Sequence, residues 1–202
     1  MLIVLCAGAG VACTPSMPFV TAPPEDAGTP MVAYADQVVT VQQDGVLTSC
    51  AQVLPDCSLN TAQDPTCAGA AFDALGRPDS KFFDLGPNGR LVVDFYCSEI
   101  LEVGLPPGLP VGPSNDFYIY ATVDSNPMPI VEVSTDATNY FVLNPWSLDA
   151  GMGTGSKAGF QLEKASLPVA RYVRISNAAS TGTIHIDSIE ALRAISVMPV
   201  SP

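Results

Sequence analysis

The sequence predicts an all-β fold, an antiparallel sandwich or barrel, carried behind an export signal and a tether. Three observations support this. Short runs favouring Val, Ile, Thr, Tyr and Phe alternate apolar with polar residues, the period of two expected of a strand with one buried face. Nineteen prolines and 16 glycines punctuate those runs, which favours many turns over long helices. No apolar stripe of 3.6-residue period reaches helical length, so nothing argues for a helical layer.

The 202 residues fit one domain plus appendages. With 48% hydrophobic and only 14% charged residues, a core can form and global disorder is excluded. The net charge is −12, and none of the eight basic residues precedes Arg77. A phosphate-tracking surface needs a basic stripe, so nucleic acid is excluded as a partner. Direct binding to anionic lipid head groups is disfavoured for the same reason. An acidic chain attracts cations such as Ca²⁺, or simply stays soluble in a salty exterior.

The appendages come first. Met1 to Cys13 reads MLIVLCAGAGVAC. It is apolar, uncharged and too short to span a bilayer, which takes about 20 residues, but it matches the apolar region of a secretory signal. Gly10-Val11-Ala12 before Cys13 resembles a bacterial lipobox, although Gly10 stands where Leu is usual and no Lys or Arg precedes the apolar run. The resemblance implies a signal at residues 1–12, removed on export, and a lipid on Cys13. An ordinary signal peptide cut nearby is the alternative. Residues 13–36 contain Pro15, Pro18, Pro23, Pro24 and Pro30, which block regular structure. They are expected to form a tether. Its first 18 or so residues, if polyproline-like, reach roughly 55 Å. Two or three acyl chains would make a stable anchor, placing the protein at the outer membrane and facing the periplasm or the exterior.

With Cys6 in the signal and Cys13 at the cut, Cys50, Cys57, Cys67 and Cys97 remain. An even count in an exported chain reads as two disulfides, with three pairings open. The spacings do not match a zinc knuckle. Three of the four lie in a loop rich in Asp, Asn, Pro and Thr that has little apolar patterning of its own, so cross-links would supply the order that packing does not.

The β domain is expected over residues 37–197, with a tail at 198–202. Leu91, Val93, Phe95 and Cys97 share one face of a strand, and Asp94 and Tyr96 the other. Pro87-Asn88-Gly89 reads as a hairpin turn joining that strand to Phe82–Leu85. Phe117, Ile119, Ala121 and Val123 face inward while Tyr118, Tyr120 and Thr122 face outward. Ile130–Ser134 and Tyr140–Leu143 flank the turn Thr135-Asp136-Ala137-Thr138. Val173 and Ile175 point in and Tyr172 and Arg174 out; Ile184 and Ile186 point in and His185 and Asp187 out. Residues 189–195 fit a short helix or a terminal strand.

The order of motifs from Ala74-Leu75-Gly76-Arg77-Pro78-Asp79, through Gly89-Arg90-Leu91-Val92-Val93-Asp94-Phe95 and Asn115-Asp116-Phe117-Tyr118-Ile119-Tyr120, to Ala170-Arg171-Tyr172-Val173-Arg174-Ile175 and Ile186-Asp187-Ser188-Ile189-Glu190-Ala191-Leu192 resembles the galactose-binding-like family. This is the fold of discoidin-type domains and of many bacterial carbohydrate-binding modules. The resemblance covers about residues 67–195. It implies a jelly roll of about eight antiparallel strands with binding loops at one end, and a structural calcium. The calcium loop would match Phe72–Ser80, with Asp73 and Asp79 as ligands and Glu190 as a late acid. Read without the family, the two aspartates are turn residues that cap local N–H groups. The aromatic and Arg positions that hold sugar in carbohydrate-binding members have no counterpart here.

No catalytic constellation emerges. His185 is the single histidine and lies on a regular strand, beside no nucleophile elbow. Gly151-Met152-Gly153-Thr154-Gly155-Ser156-Lys157 is not a phosphate loop, since its spacing differs and no helix follows. A hydrolase would need paired carboxylates such as Asp94 and Asp116, and nothing in the sequence sets their separation. A pair between Arg174 and Asp187 on neighbouring strands would be structural. Trp146, in a loop, suits a sugar platform, an interface anchor or a cap on the core. Tyr118 and Tyr120 form a second candidate contact surface. The expectation is therefore a non-catalytic surface lipoprotein whose β domain binds a protein or glycan. A calcium-stabilised carbohydrate-binding module is the alternative, and a glycan hydrolase the remote third.

Overall fold

The computed structural model describes residues 31–50, 70–95, 98–102, 115–143 and 156–196. In chain order its strands are β1 (Met31–Tyr34), β2 (Gln37–Gln43), β3 (Val46–Ser49), β4 (Phe83–Leu85), β5 (Arg90–Asp94), β6 (Ser98–Leu101), β7 (Phe117–Asp124), β8 (Pro129–Ser134), β9 (Phe141–Val142), β10 (Lys157–Phe160), β11 (Val169–Ala170), β12 (Tyr172–Asn177) and β13 (Thr183–Ser196). Short 3₁₀ turns occupy Ala70–Ala74 and Leu162–Ala165. No helix among the described residues is long and apolar enough to cross a membrane.

The strands form two antiparallel sheets around one core. One sheet has six strands in the order β3-β2-β5-β12-β8-β9. The other has seven, organised on β13. β7 runs along one edge of β13, and β6 follows it; β4 and then β1 occupy the opposite edge. The period-two pattern explains the layering. On β7, Phe117, Ile119 and Ala121 are buried while Tyr118, Tyr120 and Thr122 are half-buried on the outer face. Leu91, Val93, Val131, Val133, Val173 and Ile175 of the six-stranded sheet meet Ile119, Ile184, Ile186 and Ile189 of the other in one apolar cluster. Fully burying side chains of this size is worth about 1.5–3 kcal/mol each. Phe117 and Phe160 stack within the same cluster, with ring centroids 5.1 Å apart.

The structure corrects several expectations. Thirteen strands are seen among the described residues, not about eight, because short edge strands extend both sheets. The tether does not run to residue 36: Met31–Tyr34 pairs with β13 and Ala35 is fully buried. Residues 189–195 are strand, the second half of β13. The hairpin expected across Pro87-Asn88-Gly89 is absent. The turn forms, with Asn88 at φ 55° and the Gly89 N–H donating to the Gly86 carbonyl at 3.0 Å. However, it carries the chain from β4 in one sheet to β5 in the other. Gly89 is required there, since a Cβ would sit 2.8 Å from the Gly86 oxygen and from Leu85. The outward positions Asp94 and Tyr172 are buried, because the outer face of the six-stranded sheet carries its own small cluster of Val39, Val92 and Tyr172. The turn after β8 does make the expected hairpin with β9.

Candidate binding face

The outward side chains of the seven-stranded sheet assemble a row that spans four strands. Backbone register places Tyr34 of β1 opposite Glu190 of β13, Glu190 opposite Tyr118 of β7, and Tyr118 opposite Gly159 of β10. One step along, Tyr120 lies between Ser188 and Lys157. The Glu190 carboxylate accepts the Tyr120 hydroxyl at 2.6 Å and the Tyr34 hydroxyl at 3.2 Å. The Lys157 ammonium lies 3.8 Å from the Tyr118 ring centroid and 5.7 Å from that of Tyr120. The Arg77 guanidinium lies 6.0 Å from the Tyr34 ring centroid. Cations over aromatic faces in this way are held by the ring quadrupole.

The electrostatics keep the phenols protonated. Burial, then the hydrogen bond to Glu190 and its charge, pushes Tyr120 well above the ordinary phenol range. Burial, and then Glu190, raises Tyr34 as well, with Arg77 acting in the opposite direction. The face thus offers fixed aromatic rings, phenols anchored on one carboxylate, and two cations. This can bind a ligand by ring contact and hydrogen bonding. Opposite Tyr118, Gly159 has no side chain, and Asn115 rests on its backbone: a Cβ there would meet the Asn115 amide at 2.1 Å.

A second locus surrounds His185. Its Nδ1 lies 2.6 Å from the Asp84 carboxylate, and its Nε2 lies 3.8 Å from Asp124. Phe82 approaches the imidazole edge-on with centroids 6.4 Å apart. His185, Asp84 and Asp124, with Gln43, Asp44 and Thr183, line an open cleft of about 360 Å³. His185 is opposite Asp84 and Thr122 in the strand ladder, so the arrangement is a cross-strand set of polar partners.

Two of the three acids expected to bind calcium, Asp79 and Glu190, have other partners. Asp73 lies in the first 3₁₀ turn. Asp79 accepts the Lys81 N–H at 2.9 Å and pairs with the Lys81 ammonium at 3.0 Å; the backbone bond first, then the side-chain bond, lowers its pKa. Glu190 serves the two tyrosines. Among the described residues no three His, Cys, Asp or Glu side chains are grouped so as to hold a metal ion, so Asp73, Asp79 and Glu190 are not brought together. The expected Arg174–Asp187 pair is also absent. Arg174 instead makes a two-pronged pair with Glu132 and lies over the Tyr140 ring at 3.8 Å. Asp187 sits at a bulge in β13 and accepts the N–H groups of Asp79 and Ser80 at 3.0 and 3.2 Å. The bulge turns its carboxylate onto the loop, a role the strict alternation of the sequence conceals.

Of the acids considered for hydrolysis, Asp94 is fully buried and bidentate to Arg171 at 2.7 and 2.8 Å. Asp116 is buried and accepts the Leu162 N–H at 2.6 Å. Cys50 is buried where β3 ends. Cys13, Cys57, Cys67, Cys97, Trp146 and Gly151–Gly155 lie outside the described residues. No protein-family model, curated protein or solved structure matches the chain.

Proposed function

We propose that the protein is a non-catalytic envelope lipoprotein, anchored through Cys13, whose β domain binds a protein or glycan through the face built on Tyr118 and Tyr120. The observation that carries this reading is the row Tyr34–Glu190–Tyr120 with Lys157 above Tyr118 and Tyr120. Rings held in place before binding lose little rotamer freedom on contact, which favours them as anchors. The jelly-roll, galactose-binding-like assignment is supported by the two antiparallel sheets and the shared core. The lipid anchor rests on Gly10-Val11-Ala12-Cys13 and on the prolines that follow. The cysteine staple is supported by the even number of cysteines left after Cys6 and Cys13 and by Cys50, which is buried where β3 ends.

The test is a binding screen of the domain, against glycans and surface proteins, alongside Tyr118→Ala/Tyr120→Ala. Binding by the wild type that the double variant loses, at unchanged melting temperature, is the expected outcome. Binding that survives the double substitution moves the site off this face. Intact mass of membrane-purified protein checks the anchor: a chain starting at Cys13 and heavier by two or three acyl chains is expected, and an unacylated chain removes it.

A further inference from the structure

The charges on this face narrow the ligand. The chain carries eight basic residues against 20 acidic ones. Three of the eight are held in carboxylate pairs: Lys81 with Asp79, Arg171 with Asp94, and Arg174 with Glu132. Lys157 and Arg77 are not. Each instead stands over a tyrosine ring of the same sheet face, and neither has a salt-bridge partner among the described residues. A cation resting on a ring keeps its hydrogens available to an incoming acceptor, because the ring holds it only through its quadrupole. The one carboxylate between the two cations, Glu190, is tied down by two phenolic hydroxyls.

We infer that the ligand is an anionic saccharide, one bearing carboxylate or sulfate, laid across the strands with a sugar ring against Tyr118 or Tyr120 and its acidic group on Lys157. This rests on the binding-face reading above and adds the ligand's class and charge. The shape of the face fits. It is a sheet surface crossing β1, β13, β7 and β10, or about 14 Å at the usual strand spacing of ~4.8 Å. The flat C–H face of a pyranose packs on an aromatic ring without a pocket, and ammonium-to-carboxylate or ammonium-to-sulfate hydrogen bonds are of the strong, charge-assisted kind. An anionic bilayer would require a dense basic surface, whereas this face presents two cations, Lys157 and Arg77, which suits a single acidic group on a sugar.

The experiment titrates the full chain with oligogalacturonate, its methyl ester, a sulfated oligosaccharide and a neutral galacto-oligosaccharide. Wild type, Lys157→Met and Tyr118→Ala are compared at matched melting temperature. Met keeps the apolar stem over the ring and removes only the charge. The inference expects the acidic oligomer, the sulfated one or both to bind roughly tenfold or more tighter than the ester and the neutral sugar, and Lys157→Met to remove about that factor. Which acidic oligomer prevails identifies the anion. Equal binding of acid, ester and neutral sugar, unaffected by Lys157→Met but lost in Tyr118→Ala, overturns the inference and leaves a glycan-binding face. Tight acid binding that neither substitution weakens overturns both. Failure of all four saccharides overturns the inference, and the face then retains only the protein-binding half of its reading.

Discussion

Asn177, at the end of β12, ties three loops together, and its replacement is the sharpest test of how this end of the sandwich is held. Its side chain is 1% exposed. The Nδ2 group donates to the carbonyls of Gly182 at 3.0 Å and Gly86 at 3.2 Å, with Leu85 at 3.5 Å. The Oδ1 atom accepts the N–H groups of Met128 and Ala179, both at 3.2 Å. Asn177→Ala removes all of these bonds and strands two backbone donors. A net hydrogen bond is worth about 0.5–1.5 kcal/mol, and a stranded buried group costs about 1–3. Met128 is on the surface, so water relieves part of the penalty, and the expected loss is about 2–4 kcal/mol. Asn177→Asp separates the two halves of the bond set. It keeps both accepted bonds but turns a carboxylate toward three carbonyls. That carboxylate is held above the ordinary aspartate value of about 3.9. Its native pKa exceeds its unfolded one, so the native state binds the extra proton and stability falls as pH rises through that interval. Urea unfolding at about pH 4.5 and about pH 8, with the slope checked for constancy, should show the Asp variant losing more at the higher pH than wild type does. An alanine variant within about 0.5 kcal/mol of wild type, or an aspartate variant with no added pH dependence, refutes the account.

Three further predictions concern other parts of the fold. Arg171→Met strands the fully buried Asp94 carboxylate and should cost about 3–5 kcal/mol by denaturant unfolding, more than Arg174→Met, whose partner Glu132 keeps some contact with solvent. Asp36 lies at the surface where the chain crosses between sheets, its N–H donating to the Asp94 carbonyl at 3.2 Å; partial desolvation by the packed chain and then the Asp94 charge push its carboxyl up to about 7. With the folded pKa above the unfolded one, its contribution declines as pH rises from about 4 to about 7. Asp36→Asn should therefore raise the melting temperature at about pH 8 and leave it unchanged at about pH 4, and an equal effect at both would exclude the cause. Gly182 has φ +83° and a Cβ there would lie 2.7 Å from the Ser125 carbonyl oxygen, whereas Gly45, at φ +77°, has open space around it. Gly45→Ala should cost only the left-handed strain of about 1–2 kcal/mol, and Gly182→Ala more than that, read by calorimetry.

The strands were legible wherever one face alone is buried. β7 shows its alternation directly, and the β8–β9 turn is marked by Asp136. That carboxylate accepts the Thr138 and Asn139 N–H groups, and these bonds, with the Asn139 side chain, hold its pKa far below the carboxylate range. The alternation fails where both faces are covered. Val92 and Asp94 occupy outward positions of β5, but a second cluster and Arg171, distant in sequence, enclose them. The Pro87-Asn88-Gly89 turn was legible as a turn, but not as a crossing between sheets. A local signal fixes the reversal, while the choice of partner depends on where Leu85 and Leu91 find the core. In the candidate site, Tyr118 and Tyr120 stood out as outward aromatics. Tyr34 did not, because Pro30 placed it in the tether. The apolar run Met31-Val32-Ala33-Tyr34 after that proline was the available signal. Glu190 and Lys157 join the tyrosines only through register between strands far apart in the chain.

The arrangement of β13 has a consequence for the timing of synthesis. A chain emerges one residue at a time, yet β1, β4, β6 and β7 all take β13 as a neighbour, and Met31 meets Ala194. Until residues 183–196 are available, the earlier strands of that sheet have edges with no closing partner, the state in which β chains pair with one another instead. Such distant pairings also make the search slow. The seven-stranded sheet therefore cannot be completed before that strand is available, and a nascent chain halted before Thr183 lacks the neighbour shared by β1, β4, β6 and β7.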